Sequence, residues 1–152
     1  MIPKKAIDQS LSTYLGDSAR ARNTLVGALD AEHKILNDSY SDNTKGFKDA
    51  VEAARKAQKK DDDRAYQRYQ KRMATPEGGS FSDYEAEKAA NKTTAENKID
   101  QAQGHRQQAD ERAEGTYKKR FGEIYSQHQE DIKTALDKLE AEHPGKGEAT
   151  AD

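Results

Sequence analysis

Four histidines, three adjacent aspartates, a basic stretch threaded with aromatics and a Gly-Gly turn are where this sequence offers chemistry. Paired imidazoles bind metals or switch with pH. If the chain folds back so that residue i meets roughly 157 − i, His33 faces Ile124 and His128 faces Leu29, about one turn apart near one seam. The competing reading is that both are polar seam residues that set register in a thin coiled coil. His105 and His143 find no partner by this reasoning. Lys59, Lys60, Arg64, Arg68, Lys71 and Arg72, interleaved with Tyr66 and Tyr69, form a pattern that can follow a phosphate backbone and stack bases. Asp61, Asp62 and Asp63 interrupt it, and the sequence pI of about 6.1 lies below the basic range typical of nucleic-acid binders. A solvated basic face opposite an acidic helix is the alternative.

The three aspartates lack the alternating spacing and later glutamate of a calcium loop, and adjacent residues fan around a helix instead of converging. Acid pairs such as Glu85/Glu87 and Glu140/Glu142 need a desolvated pocket to act in acid–base catalysis, and this composition is too poor in apolar residues to build one. No nucleophile motif, phosphate-binding glycine loop or metalloprotease helix appears. The sequence therefore predicts no catalytic residue, no metal site, no cofactor and no enzyme. What remains is the hexapeptide turn. Pro76, Gly78, Gly79, Phe81 and Tyr84 put aromatics beside a Gly-Gly apex, where a partner protein can dock at little structural cost.

Long helices must position these groups. Hydrophobic residues are 32% and charged residues 36% of 152, with only seven Leu, six Ile, two Val and three Phe, so a wide core is not available. The net charge of −2 is small for a disordered chain. Apolar residues recur three and four apart at Ile7, Leu11, Leu15, Ala19, Val26, Leu29, Leu36 and Tyr40, with Arg22 and His33 filling the missing beats. The rhythm continues through Asn43, Phe47, Ala50, Ala54, Ala57 and Asp61, then Ala65, Tyr69 and Met73. Asn37 to Gly46 is rich in weak helix formers, which predicts a hinge or frayed segment there. A second run starts with Ser82 and Glu85 at capping-box spacing and Phe81 as a hydrophobic staple. It continues through Ala95, Ile99, Ala102, Ala109 and Ala113 to Phe121, Ile124, Ile132, Ala135 and Leu139. Ten bases against five acids over residues 45–74 face fourteen acids against ten bases over residues 82–142, so the arms attract weakly.

The expected fold is all-α: an elongated antiparallel helical hairpin or coiled coil, with a second fold at mid-length into a four-helix bundle as the alternative. One helical domain covers 1–142, with arms 3–74 and 82–142 and a turn at 75–81; residues 143–152 are expected to be a disordered tail. In general shape and composition the chain is similar to the helical-hairpin stalk proteins of bacterial export machines, and no motif carries a residue role over from them. The function expected is that of a structural or adaptor protein, part of a bacterial secretion or phage-type assembly. It would act by protein–protein association, including self-association; a nucleic-acid binder using the basic face of 55–72 is the alternative. No cysteine, no Sec-type leader and no membrane-length apolar run point to a soluble protein without membrane insertion, cytoplasmic or exported by a route without a Sec signal.

Overall fold

A computed structural model describes residues 3–75 and 81–143. Two α-helices pack against each other antiparallel, α1 over Lys4–Met73 and α2 over Phe81–Glu142, with no strand among the described residues. The fold is therefore the expected all-α hairpin. Residues 76–80 and 144–152, and with them the apex of the expected turn and nearly all of the expected tail, lie outside the described residues.

Both helix starts follow from the chain. Pro3 has no NH to lose, and its carbonyl accepts from Ala6 and Ile7 at 3.0 and 3.2 Å. At its other end α1 carries Lys71 and Arg72 in the last turn, where the dipole favours cations. Thr75 closes the end by donating through Oγ1 to the Arg72 carbonyl at 2.8 Å. α2 begins at Phe81, one residue before the expected cap at Ser82. The Phe81 ring still packs over the first turn, 5.8 Å from Tyr84.

The expected hinge at 37–46 is not a break: α1 is helical throughout it. Packing outweighs propensity here. Asn43 Nδ2 donates across to Asp110 at 2.9 Å, and Lys45 pairs with Asp49 at 3.2 Å. Neither helix is interrupted at mid-length, and the four-helix alternative requires such an interruption. Contacts instead divide the chain into two compact units, one of residues 1–37 with 114–152 and one of residues 38–113.

The register differs from the expected one by about a turn. In the second unit Asn43 pairs with Asp110, and Asp62 Oδ1 accepts from Asn91 at 3.0 Å; each pair of numbers adds to 153. In the first unit Ser10 bonds Glu142 and Glu32 bonds Arg120, each adding to 152. A slip of four or five residues from 157 is close to one helical turn, so it keeps the same face inward. Polar partners favour the observed register, because the half-buried amides of Asn43 and Asn91 find the carboxylates of Asp110 and Asp62 in it.

Inside the seam sit small side chains. Ala21, Ala54, Ala65, Ala95 and Ala135 are the buried apolar residues, and no large side chain is fully buried among the described residues. From Tyr40 to Tyr69, and from Ala95 to Ala113, the expected seam positions are all half-buried or buried. Upstream, Ile7, Leu11, Leu29 and Leu36 are half-buried as expected, but the expected phase fails between them. Leu15, Ala19 and Val26 are exposed, and Tyr14, Ser18, Ala21, Leu25 and Ala28 take the inner positions. Met73 and Phe121 also lie outside the seam. The inward face follows close packing of alanines, not the largest apolar groups.

Candidate functional site

In the unit of residues 38–113, four rings gather where α1 ends and α2 begins. Tyr69 is the hub: its ring lies 5.4 Å from Tyr84, nearly parallel to it, and 5.8 Å from Phe81, edge on. Tyr66 joins at 6.4 Å from Tyr69 and 5.7 Å from Tyr84. Lys88 Nζ stands 5.5 Å over the Tyr84 ring. Tyr69 and Tyr84 are half-buried, whereas Phe81 is 54% and Tyr66 47% exposed, with Met73 exposed beside them. Such a cluster offers a large, stiff, amphipathic contact area at low side-chain entropy cost, the chemistry enriched at the centres of protein interfaces.

Mutual packing fixes the rings, and ion pairs fix the helices beneath them. Arg68 Nη2 reaches Glu87 Oε2 at 2.9 Å and Arg72 Nη2 reaches Oε1 at 3.3 Å. The hydrogen bond from Arg68 holds the Glu87 carboxyl below its ordinary value, with the charges of Arg68 and Arg72 adding to the effect. Its contribution to stability is thus complete above the usual glutamate range and fades as pH falls through the lowered value.

Of the residues singled out in the sequence, Phe81 and Tyr84 are in this cluster, and Pro76, Gly78 and Gly79 lie outside the described residues. The basic residues spread around α1: Arg72 lies about 60° from Tyr69, and most of the others lie further from the rings. At about 100° per residue, Lys60, Arg64, Arg68, Lys71 and Arg72 sit roughly 120° or more around α1 from Tyr66, with Lys59 alone on its side. Arg68 and Arg72 are held by Glu87, and Arg64 lies 3.9 Å from Asp61.

The histidine pair is not assembled either. In the unit of residues 1–37 with 114–152, His33 Nε2 meets the Tyr117 hydroxyl at 3.1 Å, with the rings 5.2 Å apart. His128 instead lines a cavity of about 80 Å³ with Ala21, Leu25, Ala28 and Ile124, and its buried Nδ1 has no partner. The changed register accounts for this, since it moves each imidazole a turn along the opposite helix. No group of three or more His, Asp or Glu among the described residues is placed to hold a metal ion.

One polar cluster escaped the sequence reading. Ser10 Oγ donates to Glu142 Oε2 at 2.7 Å and stands 2.6 Å from His143 Nε2, with His143 only 5% exposed. A hydroxyl, an imidazole and a carboxylate in contact suggest a nucleophile. Here, however, the carboxylate bonds the serine, and His143 Nδ1 has no partner, so nothing orients the imidazole as a base. The cluster ties the end of α2 to the start of α1. The expected register set Ser10 against Gly147, which hid it. No protein-family model, curated protein or solved structure matches the chain.

Proposed function

We propose that the chain is a non-enzymatic structural or adaptor protein that docks a partner protein on the aromatic face formed by Tyr66, Tyr69, Phe81 and Tyr84. The exposure of Phe81 and Tyr66 within an otherwise packed ring cluster carries this reading. Isolated exposed aromatics are common on surfaces, whereas four rings ordered by one another and left open on one side are pre-organised for contact. No helix among the described residues is long and apolar enough to cross a membrane. The likeness in composition to export-machine stalks fits a role as one component of a larger assembly.

A photo-crosslinking residue at Phe81 or Tyr66 should yield a discrete protein adduct in the native host, and the same residue at Lys56, exposed on another side of α1, should not. With that partner purified, Phe81→Ala should weaken binding about tenfold or more, the effect of losing an interface anchor. If Lys60→Ala, Arg64→Ala and Lys71→Ala abolish binding while Phe81→Ala leaves it intact, the aromatic reading is wrong and the basic face is the site.

A further inference from the structure

We propose that two copies of the chain associate through one apolar face of the unit made of residues 1–37 and 114–152, a surface separate from the ring cluster. Ala21 and Ala135 are the unit's buried apolar residues, Leu25 and Ile124 are half-buried between the helices, and Leu15, Val26, Phe121, Tyr125 and Leu136 are left exposed on the flanks. At about 100° per residue, Leu15, Val26, Leu29 and His33 fall within roughly 60° of arc on one flank of the α1 seam. Phe121, Tyr125, Ile132 and Leu136 do the same on α2, within roughly 60°. Both stripes lead their seam in the same rotational sense. In an antiparallel pair of right-handed helices that places them on the same side of the hairpin. Contacts agree: His33 meets Tyr117, Tyr117 lies 5.9 Å from Phe121, and Phe121 lies 4.7 Å from Tyr125.

The observed register sets the two stripes level with each other, Leu15 beside Leu136 and Val26 beside Tyr125. Leu15 is 65%, Val26 50% and Leu136 46% exposed. From the level of Leu15 to that of His33 the face runs roughly 27 Å, and two adjacent helices make it roughly 20 Å wide, hence about 540 Å². Two copies face to face would bury about 1,100 Å², just past the ~1,000 Å² at which an association becomes specific.

The charges at the rim also fit a second copy. The face is flanked by Asp30 on the α1 edge and Lys118 on the α2 edge, both exposed. A two-fold axis parallel to the helices lays the α1 edge of one copy over the α2 edge of the other. Asp30 then comes within about one turn of Lys118 of the second copy, and the same pair forms twice. Two fixed charges share the face, Arg22 on the arc of the α1 stripe and Lys118 on that of Leu136 at the end of the α2 stripe; the long stem of each can lie along the apolar side chains with its charged head at the rim.

Sedimentation equilibrium of the full chain tests this. A reversible dimer should appear between about 1 and 100 μM, the range suited to an interface of this size. Val26→Glu and Leu136→Glu should each weaken it at least tenfold with helical content unchanged by circular dichroism. If either unfolds the chain, Val26→Thr and Leu136→Gln should still shift the dimer constant in the same direction. Ile35→Glu, on the opposite flank of α1 and 54% exposed, should leave the dimer intact, as should Phe81→Ala. A wild-type chain that stays monomeric throughout overturns the proposal, as does an Ile35→Glu loss equal to that of Val26→Glu. A Phe81→Ala loss of that size would place the contact on the ring cluster and likewise overturn it.

Discussion

Ser41→Pro should destabilise the chain by about 3 kcal/mol or more, whereas Ser41→Ala should be neutral or slightly stabilising. The side chain of Ser41 is exposed, so its loss removes little. The cost arises in the backbone, since α1 is continuous from Lys4 to Met73 and passes through this residue. A proline there removes the helical bond from the Ser41 NH to the Asn37 carbonyl, and its ring collides with that carbonyl. Urea unfolding of the three chains gives the comparison directly. Were 37–46 a hinge or a loop, as its Asn, Asp and Ser content suggests, the proline would cost nothing measurable.

Ala65→Phe should destabilise by about 1–3 kcal/mol, although it adds apolar surface. Ala65 is wholly buried, 0% exposed, and lies where the helices approach on small side chains. A phenyl ring at that position pushes α1 and α2 apart and strains the Asp62–Asn91 bond beside it. Met73→Ala removes a far larger group eight residues on, yet Met73 is 59% exposed, so that change should shift stability by less than about 0.5 kcal/mol. The usual order of large and small core substitutions is thus reversed. Thermal melts of both variants would show it.

The same inversion explains what could be read from the sequence. The 3-4 rhythm from Tyr40 to Tyr69 and the seven-residue spacing of Ala95, Ala102 and Ala109 gave the hairpin and most of its seam, because a repeat that regular has one inward face. Leu15, Ala19 and Val26 mislead because hydrophobicity is not burial: Ile7, Leu11, Leu25 and Leu36 turn inward, while these three lie on the exposed flank. The register was not legible, since alanine seams that slip by a turn look alike. The groups that favour the observed register are polar: Asn43 with Asp110, and Asp62 with Asn91. Weak propensity at 37–46 does not break α1, and Asn43 ties that stretch to Asp110. At the candidate site, Phe81 and Tyr84 were found from the turn. Tyr66 and Tyr69 were read with the neighbouring bases, because adjacency in sequence hides the arc that separates them on the helix. The Ser10–Glu142–His143 cluster needed the true register to be seen at all.

Everything proposed for the two surfaces depends on where the helices lock. The chain has no cysteine, so an engineered pair reports without interference. Ala50 and Ala102 line one groove between the helices, and their numbers add to 152. Under mild oxidation Ala50→Cys with Ala102→Cys should form an intrachain disulfide readily. Ala54→Cys with Ala102→Cys, about 6 Å further along α1, should exceed the ~4.4–6.8 Å Cα separation that a disulfide spans and cross-link far more slowly. If the second pair closes and the first does not, the helices meet a turn away from where they are placed here, and both faces are misassigned.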